Sequence, residues 1–226
     1  MKIVSWNCGG KFREKFREIK ALDADIYVIE ECEEPHHTRS ADYQAFAQNA
    51  VWTGEKPAKG LGIFAKENIK LQKLPWPDNG LRSFLPVRVN DSFNLLGVWA
   101  CRPYIKAYCD YQQVHQSAYN DAMVIIGDFN SNAIWDGQHG KRNHSFVVSE
   151  LKKQGLLSAY HFLSGEEQGK EIKSTFHLYR HKDKGYHIDY CFINPRYLKS
   201  FEILTNEKWL QFSDHLPILL ERKETN

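Results

Sequence analysis

Short apolar runs alternate with amphipathic segments along the whole chain. The apolar runs predict strands over 2–6, 26–29, 62–65, 84–89, 93–100, 123–127, 187–193, 201–204 and 216–220. Phe12, Phe16 and Ile19 recur at helical spacing and predict a helix over 11–22. Similar patterns predict helices over 107–119 and 143–154, the second with Asn143 or Ser145 as its cap. With neither a repeat nor a linker, the alternation predicts one α/β domain with mixed sheets over residues 1–226.

Composition narrows the class of protein only moderately. Hydrophobic residues make up 42% and charged residues 26%, which is ordinary for a soluble globular protein. A net charge of +2 is too small to indicate a dedicated nucleic-acid-binding protein, but it leaves room for a local basic cleft. No apolar run is long enough to cross a bilayer, and we see no signal peptide. We expect a cytoplasmic protein, most simply a monomer.

The five cysteines are odd in number and lack a Cys-x-x-Cys spacing. A disulfide framework or a zinc site is therefore not expected. Several of the cysteines lie in apolar, strand-like contexts, so we expect reduced, buried thiols.

The sequence Gly127-Asp128-Phe129-Asn130 follows directly after an apolar run. A buried strand that ends at this point would bring a carboxylate and an amide into a cleft. Asp can hold a metal or take a proton, and Asn adds a donor and an acceptor without charge. Taken alone the four residues are equally typical of a turn, because Gly, Asp and Asn are common turn residues.

Other predicted strands also end or begin in polar residues. These residues are Asn7, Glu31, Asp189 and the pair Asp214-His215. Carboxylate and carbonyl oxygens suit a hard cation such as Mg²⁺ or Mn²⁺. A histidine beside a carboxylate suits proton transfer or charge stabilisation. Together the residues indicate phosphoryl chemistry.

In their order along the chain, these motifs resemble those of the endonuclease/exonuclease/phosphatase superfamily. The resemblance extends from Trp6-Asn7 to Asp214-His215, through Gly-Asp-Phe-Asn and Ile-Asp-Tyr. It implies a four-layer α/β sandwich, in which two packed mixed sheets are flanked by helices. It also implies a metal-dependent phosphoesterase with Mg²⁺ or Mn²⁺ as cofactor.

The resemblance assigns a role to each matching position. Glu31 matches a metal-ligating glutamate, and Asn7 and Asp214 match positions that help to fix the metal. Asp128 matches the residue that activates or orients the attacking water, with Asn130 as its amide companion. His215 matches the histidine that contacts the scissile phosphate, and Asp189 matches the carboxylate that orients it. Strand alternation places Glu30 and Glu31 on opposite faces, so at most one of them points into the cleft.

One wall of the expected site departs from the family's pattern. Trp99 stands where many members have His or Tyr, and an indole is neither an acid nor an acceptor. Arg102 and Tyr104, just beyond that strand, are hypothesised to supply the missing phosphate contact. His187 replaces the family's arginine and, by strand alternation, lies on the face of Asp189, so we expect it to line the cleft.

Three functions stay open on the sequence. The first is hydrolysis of phosphodiester bonds in a nucleic acid or nucleotide by in-line attack of water. The second is action on a small-molecule or lipid-derived phosphate. The third is a catalytically silent binding module, which the filled motif positions disfavour.

Overall fold

The computed structural model describes residues 1–81 and 83–224, and every helix and strand named below lies within them. The strands are β1 (Lys2–Asn7), β2 (Ile26–Cys32), β3 (Ala50–Lys56), β4 (Lys59–Ala65), β5 (Leu71–Lys73), β6 (Phe84–Val89), β7 (Phe93–Trp99), β8 (Val124–Asp128), β9 (Leu157–Ser158), β10 (Phe176–His177), β11 (Gly185–Tyr186), β12 (Asp189–Ile193), β13 (Leu198–Ile203) and β14 (Ile218–Arg222). The α-helices are α1 (Phe12–Lys20), α2 (Ala41–Phe46), α3 (Ile105–His115), α4 (Asp136–His139), α5 (His144–Lys153) and α6 (Ala159–Ser164). Short 3₁₀ helices lie at Pro35–His37, Gln116–Ala118, Ala133–Trp135, Leu178–Arg180, Pro195–Tyr197 and Glu207–Gln211.

Two mixed sheets, each of six described strands, form the centre of the molecule. The first has the order β13-β14-β1-β2-β4-β3 and the second the order β5-β6-β7-β8-β12-β9. In each sheet one central pair is parallel, β1 with β2 and β7 with β8, and the remaining pairs are antiparallel. The two sheets with flanking helices confirm the α/β sandwich expected from the sequence.

The sheets pack directly on each other through small and branched side chains. A Cβ added at Gly97 of β7 would lie 3.1 Å from Val28 Cγ1 of β2 and 3.4 Å from Ile63 Cδ1 of β4. The apolar cluster between the sheets continues beneath α1, where Phe12 and Phe16 are buried. A second cluster lies between the outer face of the second sheet and α3 and α5.

Most predicted elements are present, with ends that differ by a few residues. Helix α1 confirms the helix over 11–22, and α5 begins after Asn143, whose side chain accepts the Phe146 backbone N–H. The strand over 26–29 continues to Cys32, and the helix over 107–119 occupies Ile105–His115. The strand β3 has no sequence prediction, because its mixed, half-exposed residues follow neither period clearly.

The structure also bears on the cysteines and on membranes. All five cysteines are free, and Cys8, Cys32, Cys109 and Cys191 are buried. Among the helices of the described residues, none has the length and apolar character needed to cross a bilayer.

Candidate active site

The two sheets meet at one edge through the ends of β1 and β8 and the start of β12. Asp128 closes β8, and Asp189, at the start of β12, is its register partner. Asn7 closes β1 in the other sheet, and its side-chain amide donates to Asp128 Oδ2 at 2.9 Å. Three polar residues that are far apart in sequence are therefore joined across the sheet interface.

Gly127 is required for this junction. Its φ is +148°, and an added Cβ would lie 2.0 Å from the Val98 carbonyl oxygen and 2.9 Å from Glu30 Oε1. Because the neighbouring atoms are backbone and a buried carboxyl, no side chain fits at this position. The glycine before Asp128 thus permits the close approach of β7, β8 and β2.

The Asp128 carboxylate is fully buried and densely hydrogen-bonded. The Asn130 backbone N–H donates to Oδ1 at 2.8 Å, and the Asn130 side-chain amide donates to Oδ2 at 2.8 Å. Burial, and next to it the charge of Asp189, raise the pKa of Asp128, while His215 and the amide donors oppose this shift. A carboxylate with a raised pKa is the better proton acceptor near neutral pH.

His215 and Asp189 form a buried hydrogen-bonded pair. The His215 Nδ1 atom lies 3.1 Å from Asp189 Oδ1 and 3.0 Å from Oδ2, and its Nε2 lies 4.0 Å from Asp128 Oδ2. Burial lowers the pKa of His215, but the two carboxylates outweigh this effect and raise it to about 10. The imidazole is therefore protonated at neutral pH, with Nε2 directed towards Asp128 and the cleft.

The backbone on both sides of His215 is fixed by hydrogen bonds. The Trp6 indole N–H donates to the His215 carbonyl oxygen at 3.0 Å, and the His215 N–H donates to Ser213 Oγ at 3.1 Å. Ser213 in turn donates to the Asn7 carbonyl oxygen at 2.7 Å. The Thr175 hydroxyl accepts the Asp189 N–H at 3.0 Å. The orientation of the imidazole is thus set by both sheets.

A β-bulge turns Glu31 into the cleft. The pairing of β2 with β4 shifts register between Glu30 and Cys32, and Glu31 has a φ of 62°. The Glu31 side chain is 20% exposed and its Oε2 lies 2.6 Å from Lys59 Nζ. Glu30 is fully buried and accepts the Ser5 hydroxyl at 2.8 Å. Of this pair only Glu31 lines the cleft, in agreement with the sequence-based expectation.

These residues line an open cleft of about 590 Å³. Its walls comprise Asn7, Gly9, Glu31, Asp128, Asn130, Phe176, Tyr179, Arg180, Asp214 and His215. Of the seven residues assigned catalytic or metal roles from the sequence, six line the cleft, and Asp189 lies behind His215. The structure therefore brings the expected constellation together.

The oxygen donors of Glu31, Asn7 and Asp214 suit a hard divalent cation. Asp128, Asp189 and His215 also lie close together, with ligand atoms within 4.8 Å of one another. In that second group the Asp189 oxygens already accept from His215, and the Asp128 oxygens already accept amide N–H groups. Asn7 Oδ1 likewise accepts the Gly9 N–H at 3.1 Å, but Glu31 and Asp214 are only half-buried and line the cleft, whereas Asp128 and Asp189 are buried. The first group is thus the more accessible to a cation, and the second is better placed to handle protons.

The three residues expected to contact substrate lie elsewhere. His187 is buried against Tyr160 and Tyr190, at ring-centroid distances of 4.6 and 4.8 Å, and its Nδ1 contacts the Lys173 carbonyl oxygen at 2.9 Å. Strand alternation does not apply to it, because β12 begins only at Asp189. Arg102 is exposed and its Nε donates to the Tyr104 hydroxyl at 3.1 Å. None of these three residues is among the described residues that line the cleft.

Three residues without a site assignment from the sequence line the cleft instead, namely Phe176, Tyr179 and Arg180. Tyr179 and Arg180 follow β10, and the Arg180 guanidinium donates to the Gln211 carbonyl oxygen at 3.2 Å. The ring of Phe176 lies 4.7 Å from that of His215. The basic and aromatic stretch from His177 to His181 was the only sequence signal for them, and it is equally typical of a surface loop.

Comparison with known proteins agrees with this geometry. A family model described as Endonuclease/Exonuclease/phosphatase family matches residues 4–215. A 3′ phosphatase from Neisseria bound to a product DNA hairpin is similar in structure, with a TM-score of 0.73 and 18% identity over 99% of this chain and 100% of that chain. An AP endonuclease from Archaeoglobus fulgidus gives a TM-score of 0.72 and 17% identity, again over 99% and 100% of the two chains.

The endonuclease domain of the telomere-specific retrotransposon TRAS1 is also similar, with a TM-score of 0.68 and 14% identity over 98% of this chain and 97% of that domain. Identities this low show a common fold alone. No curated protein sequence matches the chain significantly.

Proposed function

The chain belongs to the endonuclease/exonuclease/phosphatase family and is a phosphoester hydrolase, and from that premise we propose that it cleaves phosphodiester bonds of a nucleic acid or nucleotide. The observation that carries the proposal is the buried His215–Asp189 pair, placed 4.0 Å from Asp128 at the floor of an open cleft. This arrangement provides a cationic donor and a proton acceptor side by side on the wall of the cleft.

Each residue then has a chemical task. Asp128, whose pKa is raised by burial, accepts the proton of the attacking water. The amide of Asn130 fixes the Asp128 carboxylate and leaves its own carbonyl oxygen available to the water. The His215 Nε2–H donates to a phosphoryl oxygen, where negative charge grows during in-line attack. As the bond from the water oxygen to phosphorus forms, the bond from phosphorus to the leaving oxygen breaks, and the leaving oxygen takes a proton from solvent. Asp189 keeps that imidazole charged and oriented.

We propose Mg²⁺ or Mn²⁺ as the cofactor, held by Glu31, Asn7 and Asp214. All three offer oxygen atoms, as these cations require, and family members depend on divalent metals. When bound, such a cation supplies positive charge that offsets the charge of the phosphate group.

DNA is the substrate class best supported by the similar proteins. One is a 3′ phosphatase bound to a DNA hairpin, and another from Neisseria meningitidis is described as a 3′-5′ exonuclease. Arg180 lines the cleft, and Lys59 pairs with Glu31 beside it, so both cations lie where a phosphate backbone would pass. Removal of a 3′ phosphate from DNA is the second candidate, favoured by the first of these proteins.

A substrate panel with Mn²⁺ separates the possibilities. The panel contains a plain DNA hairpin, the same hairpin with a 3′ phosphate, a hairpin with an abasic site, and soluble and lipid-derived phosphate esters. We expect cleavage of DNA with a rate that falls steeply with salt, because backbone contacts release counterions. A salt-insensitive reaction confined to a soluble or lipid-derived ester would replace nucleic acid as the substrate. Absence of metal-dependent hydrolysis on every substrate would indicate the silent binding module.

A further inference from the structure

A second, smaller pocket of about 320 Å³ lies beside the catalytic cleft, at the end of β7 and the β3–β4 hairpin. Its walls include Lys56, Lys59, Ser83, Trp99 and Cys101. The volume lies at the lower end of the range for small-ligand pockets, about 300–1,000 Å³. The pocket thus has room for one flat group rather than a long chain.

A strand register and an ion pair connect this pocket to the catalytic cleft. Trp99 is the register partner of Asp128 in the parallel pair of β7 and β8, so it lies one strand from the proposed base. Lys59 lines the second pocket, and its ammonium lies 2.6 Å from Glu31 Oε2, which lines the cleft. A substrate whose phosphate occupies the cleft therefore has its neighbouring group at this pocket.

The walls of the smaller pocket carry one indole, two ammonium groups (Lys56 and Lys59) and one carboxylate (Glu55), which suits an aromatic group with an adjoining phosphate. Trp99 is half-buried, and its backbone N–H donates to the Ser83 carbonyl oxygen at 2.9 Å, which fixes the end of β7. The Lys59 ammonium lies 5.7 Å from the centroid of the Trp99 ring, and the Lys59 side chain is 50% exposed. An indole on an ordered strand end with a partly exposed ammonium above it suits a stacked base and the adjoining phosphate.

We propose that Trp99 and Lys59 form a subsite that stacks the nucleobase next to the scissile phosphate. The inference rests on the proposed phosphodiesterase function and adds the recognition of a base to it. The ion pair with Glu31 holds the Lys59 ammonium over the Trp99 ring. From this position the ammonium would lie within reach of the phosphate that adjoins a base stacked on Trp99. Many family members have His or Tyr where this chain has Trp99. In this chain the position would therefore contact a base and not the phosphate.

The test compares kcat/KM for DNA hairpins with and without a base beside the cleaved bond. DNA hairpins are prepared with an ordinary nucleotide or a tetrahydrofuran residue, which lacks a base, at each position flanking the cleaved bond. For wild type we expect kcat/KM to fall roughly tenfold when the base is removed on one side, since stacking on an aromatic side chain contributes about that factor. In Trp99→Ala this preference should vanish, and Trp99→Phe should keep part of it.

Trp76→Ala is the matched control. Trp76 is also half-buried, but it stacks on His115 at 5.1 Å and lines neither the cleft nor the smaller pocket. The preference for a base should persist in this variant.

The alternative outcomes distinguish failure of the subsite alone from failure of the proposed function. Equal kcat/KM for the base and baseless hairpins in wild type, with hydrolysis intact, overturns the subsite and leaves the proposed function standing. A preference that survives in Trp99→Ala also overturns it. Failure of wild type to hydrolyse any phosphoester overturns both. A preference for esters with an acyl chain would assign the pocket to a lipid and likewise overturn the inference.

Discussion

The Asp189–His215 pair determines whether the imidazole is a cation at neutral pH. In Asp189→Asn the pair loses the charge that chiefly raises the pKa of His215 against the opposing effect of burial. We expect kcat to fall about 100-fold or more, as for loss of the carboxylate that orients a catalytic imidazole. Mn²⁺ affinity should stay near the wild-type value, because Asp189 is not in the proposed ligand set. Steady-state kinetics and calorimetric titration with Mn²⁺ measure the two quantities. A parallel loss of metal affinity would mean that Asp189 is a ligand.

The Lys59 ammonium competes with a cation for the negative charge of the Glu31 carboxylate. Lys59→Gln should therefore raise Mn²⁺ affinity about two- to fivefold, the factor that a partly exposed ion pair contributes. Glu31→Gln should lower the affinity by at least about tenfold, because it removes a charged ligand. Titration calorimetry with Mn²⁺ alone tests both without an activity assay. Wild-type Mn²⁺ affinity in Glu31→Gln would remove Glu31 from the metal site.

Residue identities in the site were predictable because their chemistry is specific and their order along the chain is informative. The sequence indicated Asp128, Asp189 and His215 by type and position. It failed for His187, since alternation is valid only inside a strand and β12 starts two residues later. Arg102 and Tyr104 are not among the described residues that line the cleft. Their contact with substrate stays a prediction, because the direction of a loop depends on packing that no local pattern records.

The backbone geometry at the end of strand β8 depends on Gly127, which precedes Asp128. Gly127→Ala places a Cβ against the Val98 carbonyl and Glu30, and adds strain at a φ of +148°. We expect it to lower the free energy of unfolding by about 2–5 kcal/mol, from overpacking and backbone strain together. Urea denaturation measures this change. Activity should be lost as well, since Asp128 would shift.

Gly137→Ala in α4 is the matched control for this substitution. A Cβ at Gly137 meets no heavy atom of the described residues within 4 Å, and Gly137 lies inside a helix. We expect its stability to be unchanged or raised by about 0.5–1 kcal/mol, because alanine is the better helix former. If both variants had equal stability, close packing at β8 would not be what selects glycine.

The elements that were hardest to predict are those whose hydrophobic residues do not recur at a clear spacing. The strand β3 lies at the edge of its sheet, so most of its residues are only half-buried and the alternation is weak. The bulge at Glu31 is likewise invisible in the sequence, because it arises from the pairing of β2 with β4. By contrast, central strands such as β8 are buried on both faces and appear as continuous apolar runs.

At the scale of the whole molecule, buried His144 makes stability depend on pH. Burial lowers the pKa of His144 from 6.5 to about 4, although the Gln168 side chain opposes this shift. The unfolded chain binds the proton below pH 6.5 and the folded protein only below about pH 4, so stability falls as pH drops between these values. The loss is on the order of 3 kcal/mol.

His144→Phe should reduce that loss, because phenylalanine keeps the packing on Tyr190, which lies 4.7 Å from the histidine ring, without a titrating group. Thermal melting of both proteins at pH 7 and at pH 4.5 measures the effect. We expect a smaller decrease in Tm for the variant. The same decrease in both would show that His144 does not carry the pH dependence.

We propose that this cleft hydrolyses phosphoesters with a divalent cation and a His215 imidazolium. The most direct test is the rate of hydrolysis of a labelled DNA hairpin by wild type and His215→Gln, each in Mn²⁺ and in EDTA. We expect turnover by wild type in Mn²⁺, none in EDTA, and a rate at least about 100-fold lower for His215→Gln. Hydrolysis by His215→Gln at the wild-type rate, or by wild type in EDTA, would contradict the claim.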